Sequence, residues 1–304
     1  MRKIFCLFLS VLLTACGTLN VNVNPNANDN VNVNDNVNAN SNGPRSTLNT
    51  PRSTLNTPRS TLNSQPSTLN AQRSWYQDEA QLWADFKAAM ADAQQVSESK
   101  VSHSLMPVRT DNPALEWKQI GDANMVLVCV MINDKKRQLF AAEDTFRLPK
   151  EAGVWVTLPA DWQRKADAFA GLDSVAANKR MVQMLGLRPE CDYYLMVELY
   201  VDARGLFRPA FDPDITTTTS PTSFPAYADE SYTIGVTNFR EWYAYNKVSA
   251  YADDGCPWTQ LGYTYDWHHG APREGVSEYV AAYGTLAKVK SSRSFWSFIR
   301  GVGE

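Results

Sequence analysis

Residues 75–304 predict an α+β domain with a mixed or antiparallel sheet and flanking helices. Three observations carry that class. Met125 to Ile132 (MVLVCVMI) is a continuous apolar, β-branched run of the kind that fills a strand buried on both faces. Tyr193 to Val201 alternates, with Leu195, Val197, Leu199 and Val201 on one face and Tyr194, Met196, Glu198 and Tyr200 on the other. Strand and helix patterns then interleave irregularly, and no strand is followed by a Gly-rich nucleotide turn, so a regular parallel βαβ sheet is not indicated.

The elements follow in chain order. Trp75 to about Ser97 reads as a helix, because Leu82, Phe86, Met90 and Ala93 recur at helical spacing. The strand at 125–132 comes next, bounded by Asn124 and Asn133-Asp134, and a short one at Val154–Leu158 is closed by Pro159. Asp173-Ser174 offers an N-cap to a helix running through Met181, Met184 and Leu185, with Gly186 as its stop. After the alternating strand, residues 212–233 are rich in Thr, Ser, Pro and Asp and read as a long loop. Asn238 caps a helix through Tyr243 and Val248, and strands at Leu261–Trp267, Glu278–Ala282 and Leu286–Val289 end the domain.

The amino-terminal quarter is of another kind. All nine Trp and all three His lie at Trp75 or beyond. Arg2 and Lys3 precede an apolar stretch, Ile4 to Leu13, too short to span a bilayer core of about 30 Å as a helix. Leu13-Thr14-Ala15-Cys16-Gly17 follows, and it resembles the lipobox of bacterial prolipoproteins. The resemblance implies a signal peptide over 1–15 and a Cys16 that becomes the new N-terminus and carries diacylglycerol and a further acyl chain such as palmitate. Gly17, rather than Asp, implies an outer-membrane address. A multiply acylated end holds a membrane far more firmly than a single myristoyl chain, so the chain is expected to be anchored in the envelope without spanning it.

Residues 16–74 read as a disordered tether. Every even-numbered residue from Asn20 to Asn42 is Asn, and the unit Pro44-Arg-Ser-Thr-Leu-Asn-Thr50 then repeats with a period of seven. A coiled coil is excluded, since each full unit has one Leu and opens with Pro. An extended spacer of about 3 Å per residue gives a contour of roughly 170 Å.

Charge narrows the partners. The chain has 29 basic and 32 acidic residues, and 23 and 30 of them fall in 75–304, a net of −7 that argues against nucleic acid. The expected partners are the membrane, through Cys16, and an envelope or extracellular protein or glycan. No cofactor or metal is expected; Asp212, Asp214, Asp266 and His268 are the nearest to a ligand set, without a metal-binding spacing. Cys129 lies inside an apolar strand, whereas Cys191 and Cys256 sit in loops of an exported chain and are expected to form a disulfide.

Candidate site residues form three groups. In an extended 263–268, Asp266 and His268 share a face, about 6.6 Å apart, the beginning of a general-base pair. Arg204 and Arg208 lie in a turn-rich segment with Asp202, Asp212 and Asp214, suited to an internal bridge or to an anion. Trp258 and Trp267, among Gly and Pro, are expected to be partly exposed and available for stacking on a sugar or a partner. Finally, Ser277-Glu278-Tyr279-Val280 with Gly284-Thr285 resembles the last catalytic strand of ADP-ribosyltransferases, which implies a Glu278 that contacts a nicotinamide ribose. Val276 departs from the arginine-directed pattern, and no Ser-Thr-Ser strand start lies upstream. The favoured expectation is a tethered binding domain; the alternative is a tethered enzyme, hydrolase-like through Asp266 and His268 or ADP-ribosyltransferase-like through Glu278.

Overall fold

The computed structural model describes residues 74–142, 144–148 and 153–301. The lipobox, Cys16, and all of the repeat segment except Ser74 lie outside them. The class is α+β, and every strand pairing in it is antiparallel.

Helix α1 (Glu79–Ala93) opens the domain, capped by Asp78, whose carboxylate accepts the Gln81 N–H. Strands β1 (Trp117–Ile120) and β2 (Ala123–Ile132) form a hairpin, followed by the short β3 (Phe146–Arg147) and β4 (Val154–Val156). Pro159, expected to close a strand, is instead the first residue of α2 (Pro159–Arg164), where its missing N–H costs nothing. Helix α3 (Ser174–Met184) starts at the Asp173 cap and ends at Gly186, whose φ of +69° is readily open to glycine alone. Strands β5 (Leu195–Asp202) and β6 (Leu206–Phe207) lead into the long loop, which carries no regular element before β7 (Thr233–Ile234) and β8 (Thr237–Asn238). Asn238 accepts the Glu241 N–H and starts α4 (Phe239–Ala250). The chain closes with β9 (Tyr263–Tyr265), β10 (Glu274–Ser277), β11 (Tyr279–Ala281), β12 (Leu286–Ser294) and α5 (Phe295–Ile299).

Five strands make the main sheet, in the order β1-β2-β5-β12-β3, and β4-β11-β6 make a second, smaller one. The alternation in β2 and β5 explains how they stack. Cys129, Met131 and Met196 face a core filled from α1, α3 and α5 by Phe86, Met181 and Phe295. Val126, Val128, Val130, Leu195, Val197 and Leu199 face the other way, against Val154, Val156 and Tyr279 of the smaller sheet. That sheet's far side, Trp155, Phe207 and Val280, packs under α4 through Phe239, Trp242 and Tyr243. Burial on both faces is the reason the 125–132 run is uniformly apolar. The two sheets meet where Cys129 and Thr157 exchange both backbone hydrogen bonds, at 2.8 and 2.9 Å.

Candidate functional site

The structure separates the sequence candidates into three places. Asp266 is buried, 4% exposed, and both its oxygens are taken by Arg180 of α3, Nη1 at 2.8 Å and Nη2 at 2.6 Å. The strand ends at Tyr265, so Asp266 and His268 do not form the extended pair expected for 263–268. Asp266 accepts the His268 backbone N–H at 3.1 Å, while the ring Nδ1 is buried and unpartnered. The ring packs edge-on against Trp75 at 4.9 Å between centroids. Burial first, and Arg180 second, hold the His268 pKa below its ordinary value. A fork-to-fork guanidinium pair of this kind is structural: it fixes α3 to the segment after β9. Asp212 lies elsewhere, accepting from the Tyr227 hydroxyl and from the Asp214 backbone N–H at 2.9 Å, so the four residues nearest to a metal-ligand set are apart in their bonding. Among the described residues no group of three or more His, Cys, Asp or Glu is placed to hold a metal.

Arg208 is fully buried. Its guanidinium reaches Thr217 Oγ1 at 2.6 Å and the Thr217 carbonyl at 2.7 Å, and its stem lies over Gly262, where a Cβ would stand 2.5 Å from Arg208 Cδ. It pins the 212–220 loop through Thr217 and backbone carbonyls rather than through an Arg–Asp bridge, and it is not available to an anion. Trp258 and Trp267 are likewise buried, 4% and 3% exposed, contrary to the exposure expected of them. Each indole N–H is satisfied by a backbone carbonyl, Pro209 at 2.9 Å and Leu187 at 2.8 Å, so the neighbouring Gly and Pro shape turns that cover the rings.

Arg204 alone of these four is exposed. It pairs with Asp202 at the end of β5, Nη2 to Oδ2 at 2.7 Å, on the wall of a groove of about 630 Å³. Arg109 with Asp111, Asp122, Asn124 and Trp117 also line it, and the Trp117 indole N–H is buried without a partner among the described residues. Side chains of Arg109 and Arg204 are 53% and 69% exposed, so these pairs are solvated and open readily to a competing partner.

Glu278 is the third place. It stands between β10 and β11 with its backbone N–H on the Gly262 carbonyl, and its side chain lines a cavity of about 140 Å³ beneath the junction of the two sheets. The side chain is 5% exposed, and Oε1 is buried without a partner. Burial pushes its pKa well above the ordinary 4.5, which favours the protonated carboxyl. Sequence reasoning missed Asn246, on α4, whose Nδ2 is also buried and unpartnered at this cavity; a polar residue on the inner face of an amphipathic helix was the available signal. It missed Asp161 too, a 1%-exposed carboxylate that accepts the Ser277 N–H at 2.6 Å and so fixes the strand leading to Glu278. Cys129 is on the same wall, its thiol pushed up to about 12 by burial and therefore inert as a nucleophile. Cys256 lines the cavity as well; its loop meets that of Cys191 through Arg188 Nη1 on the Asp253 carbonyl at 2.9 Å.

No family model, no curated protein and no solved structure matches the chain.

Proposed function

We propose that this protein is an envelope lipoprotein, anchored by acylated Cys16 in an outer membrane, whose tethered domain binds a polar protein or glycan partner at the groove around Arg204. The observation that supports binding over catalysis is where the charged candidates spend their bonds. Asp266 is committed to Arg180, Arg208 to loop carbonyls, and burial pushes the Cys129 thiol up, whereas the exposed Arg204 and Arg109 are held only in solvated pairs on the groove wall. Solvated charged pairs on a groove wall exchange their mutual contacts for those of a polar chain at little desolvation cost. The alternative, a tethered enzyme, retains Glu278 but no assembled Asp266–His268 base.

Two measurements test the proposal. Cys16→Ser moves the protein to the soluble fraction when membranes are washed at high salt, which screens contacts made through exposed charges; full retention after that wash contradicts the anchor. Returned to low salt, the released Cys16→Ser protein cosediments with salt-washed cell envelopes, and adding Arg109→Glu and Arg204→Glu lowers the bound fraction at least fivefold. Unchanged binding contradicts the groove.

A further inference from the structure

Beneath the sheet junction, nearly every polar group lining the 140 Å³ cavity has a partner within the fold. Thr157 Oγ1 accepts the Trp162 indole N–H at 2.8 Å, and Thr264 Oγ1 donates to the Met184 carbonyl at 2.7 Å and accepts the Val276 N–H at 3.0 Å. Two atoms are left over, Glu278 Oε1 and Asn246 Nδ2, on side chains 5% and 4% exposed. They come from separate elements, one from the β10–β11 connection and one from α4, and both line the cavity. Leaving a buried polar group unsatisfied costs about 1–3 kcal/mol, so two at one cavity is an expensive arrangement for a surface meant only to pack.

The rest of the wall is apolar and aromatic, with Trp155, Trp258, Leu185 and Val130 among its members, and no Lys, Arg or His lines it. That excludes an anion and leaves the neutral carboxyl without a counter-charge. Neutral Glu278 offers a donor and an acceptor, and Asn246 offers a donor. A hydroxyl group carries the complementary set, one O–H donor with two lone pairs. The volume sets the body: an apolar cavity of about 150 Å³ admits a molecule of the size of benzene.

We infer that this cavity is a binding site for a small uncharged alcohol or phenol, with a single-ring-sized apolar body against Trp155 and Trp258 and its hydroxyl on Glu278 and Asn246. The site is distinct from the Arg204 groove and does not depend on the anchor.

The test uses phenol and benzene, which share the ring and differ by one hydroxyl, titrated calorimetrically into the full-length Cys16→Ser chain. Phenol binds at least fivefold tighter than benzene. Glu278→Leu brings the ratio below twofold, Asn246→Leu lowers it at least twofold, and Glu278→Gln, which keeps a donor and an acceptor, preserves most of it. Should Glu278→Leu fail to fold, Asn246→Leu reads the same ratio from α4. Equal affinity of the two probes, a ratio that survives both leucine substitutions, or no binding of either probe overturns the inference; the last result assigns the cavity to water.

Discussion

Asp266 and Glu278 are buried to the same degree, 4% and 5% exposed, and have opposite surroundings. Asp266 meets a guanidinium that takes both its oxygens; Glu278 meets an apolar cavity and leaves Oε1 without a partner. One carboxylate is compensated and holds the fold together. The other is held neutral and keeps bonding capacity in reserve. Burial of a charge-bearing residue therefore says little about function until its partners are counted, and the unpartnered residue is the better site candidate.

The largest effect comes from removing the compensation. Arg180→Leu strands the Asp266 carboxylate in the core and lowers unfolding free energy by about 3–5 kcal/mol, read from denaturant midpoints. The double variant Arg180→Leu/Asp266→Leu recovers most of that loss, because the stranded charge rather than the lost pair is the main cost. A loss below about 1 kcal/mol in the single variant removes the contrast between the two carboxylates.

Next in size is the disulfide expected between Cys191 and Cys256, which would tie the loop after α3 to the Cys256 loop lining the Glu278 cavity. Reduction of the full-length protein is expected to cost about 2–4 kcal/mol and to weaken phenol binding while leaving the Arg180–Asp266 pair intact. Three thiols alkylated without reductant in the mature chain contradict the bridge.

Glu278→Gln has a smaller effect and the opposite sign. The folded protein keeps a proton on Glu278 that the unfolded chain has lost, so native stability is fully present below the ordinary pKa of 4.5 and declines as pH rises toward the raised folded value. The substitution removes that slope. At pH 8 it raises the melting temperature by about 2–4 °C, the response of a domain this size to roughly 1 kcal/mol, and the gain shrinks toward pH 4. His268, held below its ordinary value, acts in reverse: its contribution is present above about pH 6.5 and is lost as pH falls through the lowered folded pKa. Parallel stability curves for wild type and Glu278→Gln contradict the neutral carboxyl.

The smallest effect is a null one. Deleting Pro51–Thr57 leaves the melting temperature within error, since a unit with one Leu and a helix-breaking Pro offers the core nothing. A drop of several degrees contradicts the tether.

What the sequence revealed, and what it hid, follows the same division. The buried strand, the alternating strand and the caps at Asp173 and Asn238 were legible because each depends on neighbours a few residues away. The strand at 154–156 does end before Pro159, and the helix that Pro159 opens is not legible because the same residue suits both roles. The Arg180–Asp266 pair and the Glu278–Asn246 cavity join distant segments, which a single sequence does not reveal. Trp258 and Trp267 misled for a related reason: their polar surroundings are backbone turns that receive the indole N–H groups, not solvent.

Glu278 is unpaired, with burial raising its pKa, where Asp266 is paired with Arg180. Carboxyl carbon NMR over pH 3 to 8, with the Glu278 resonance assigned by its disappearance in Glu278→Gln, tests it directly. The Glu278 resonance is expected to keep its protonated position well above the pH at which the exposed glutamates titrate, near 4.3, and to shift on addition of phenol. A Glu278 resonance that titrates with the exposed glutamates would contradict it.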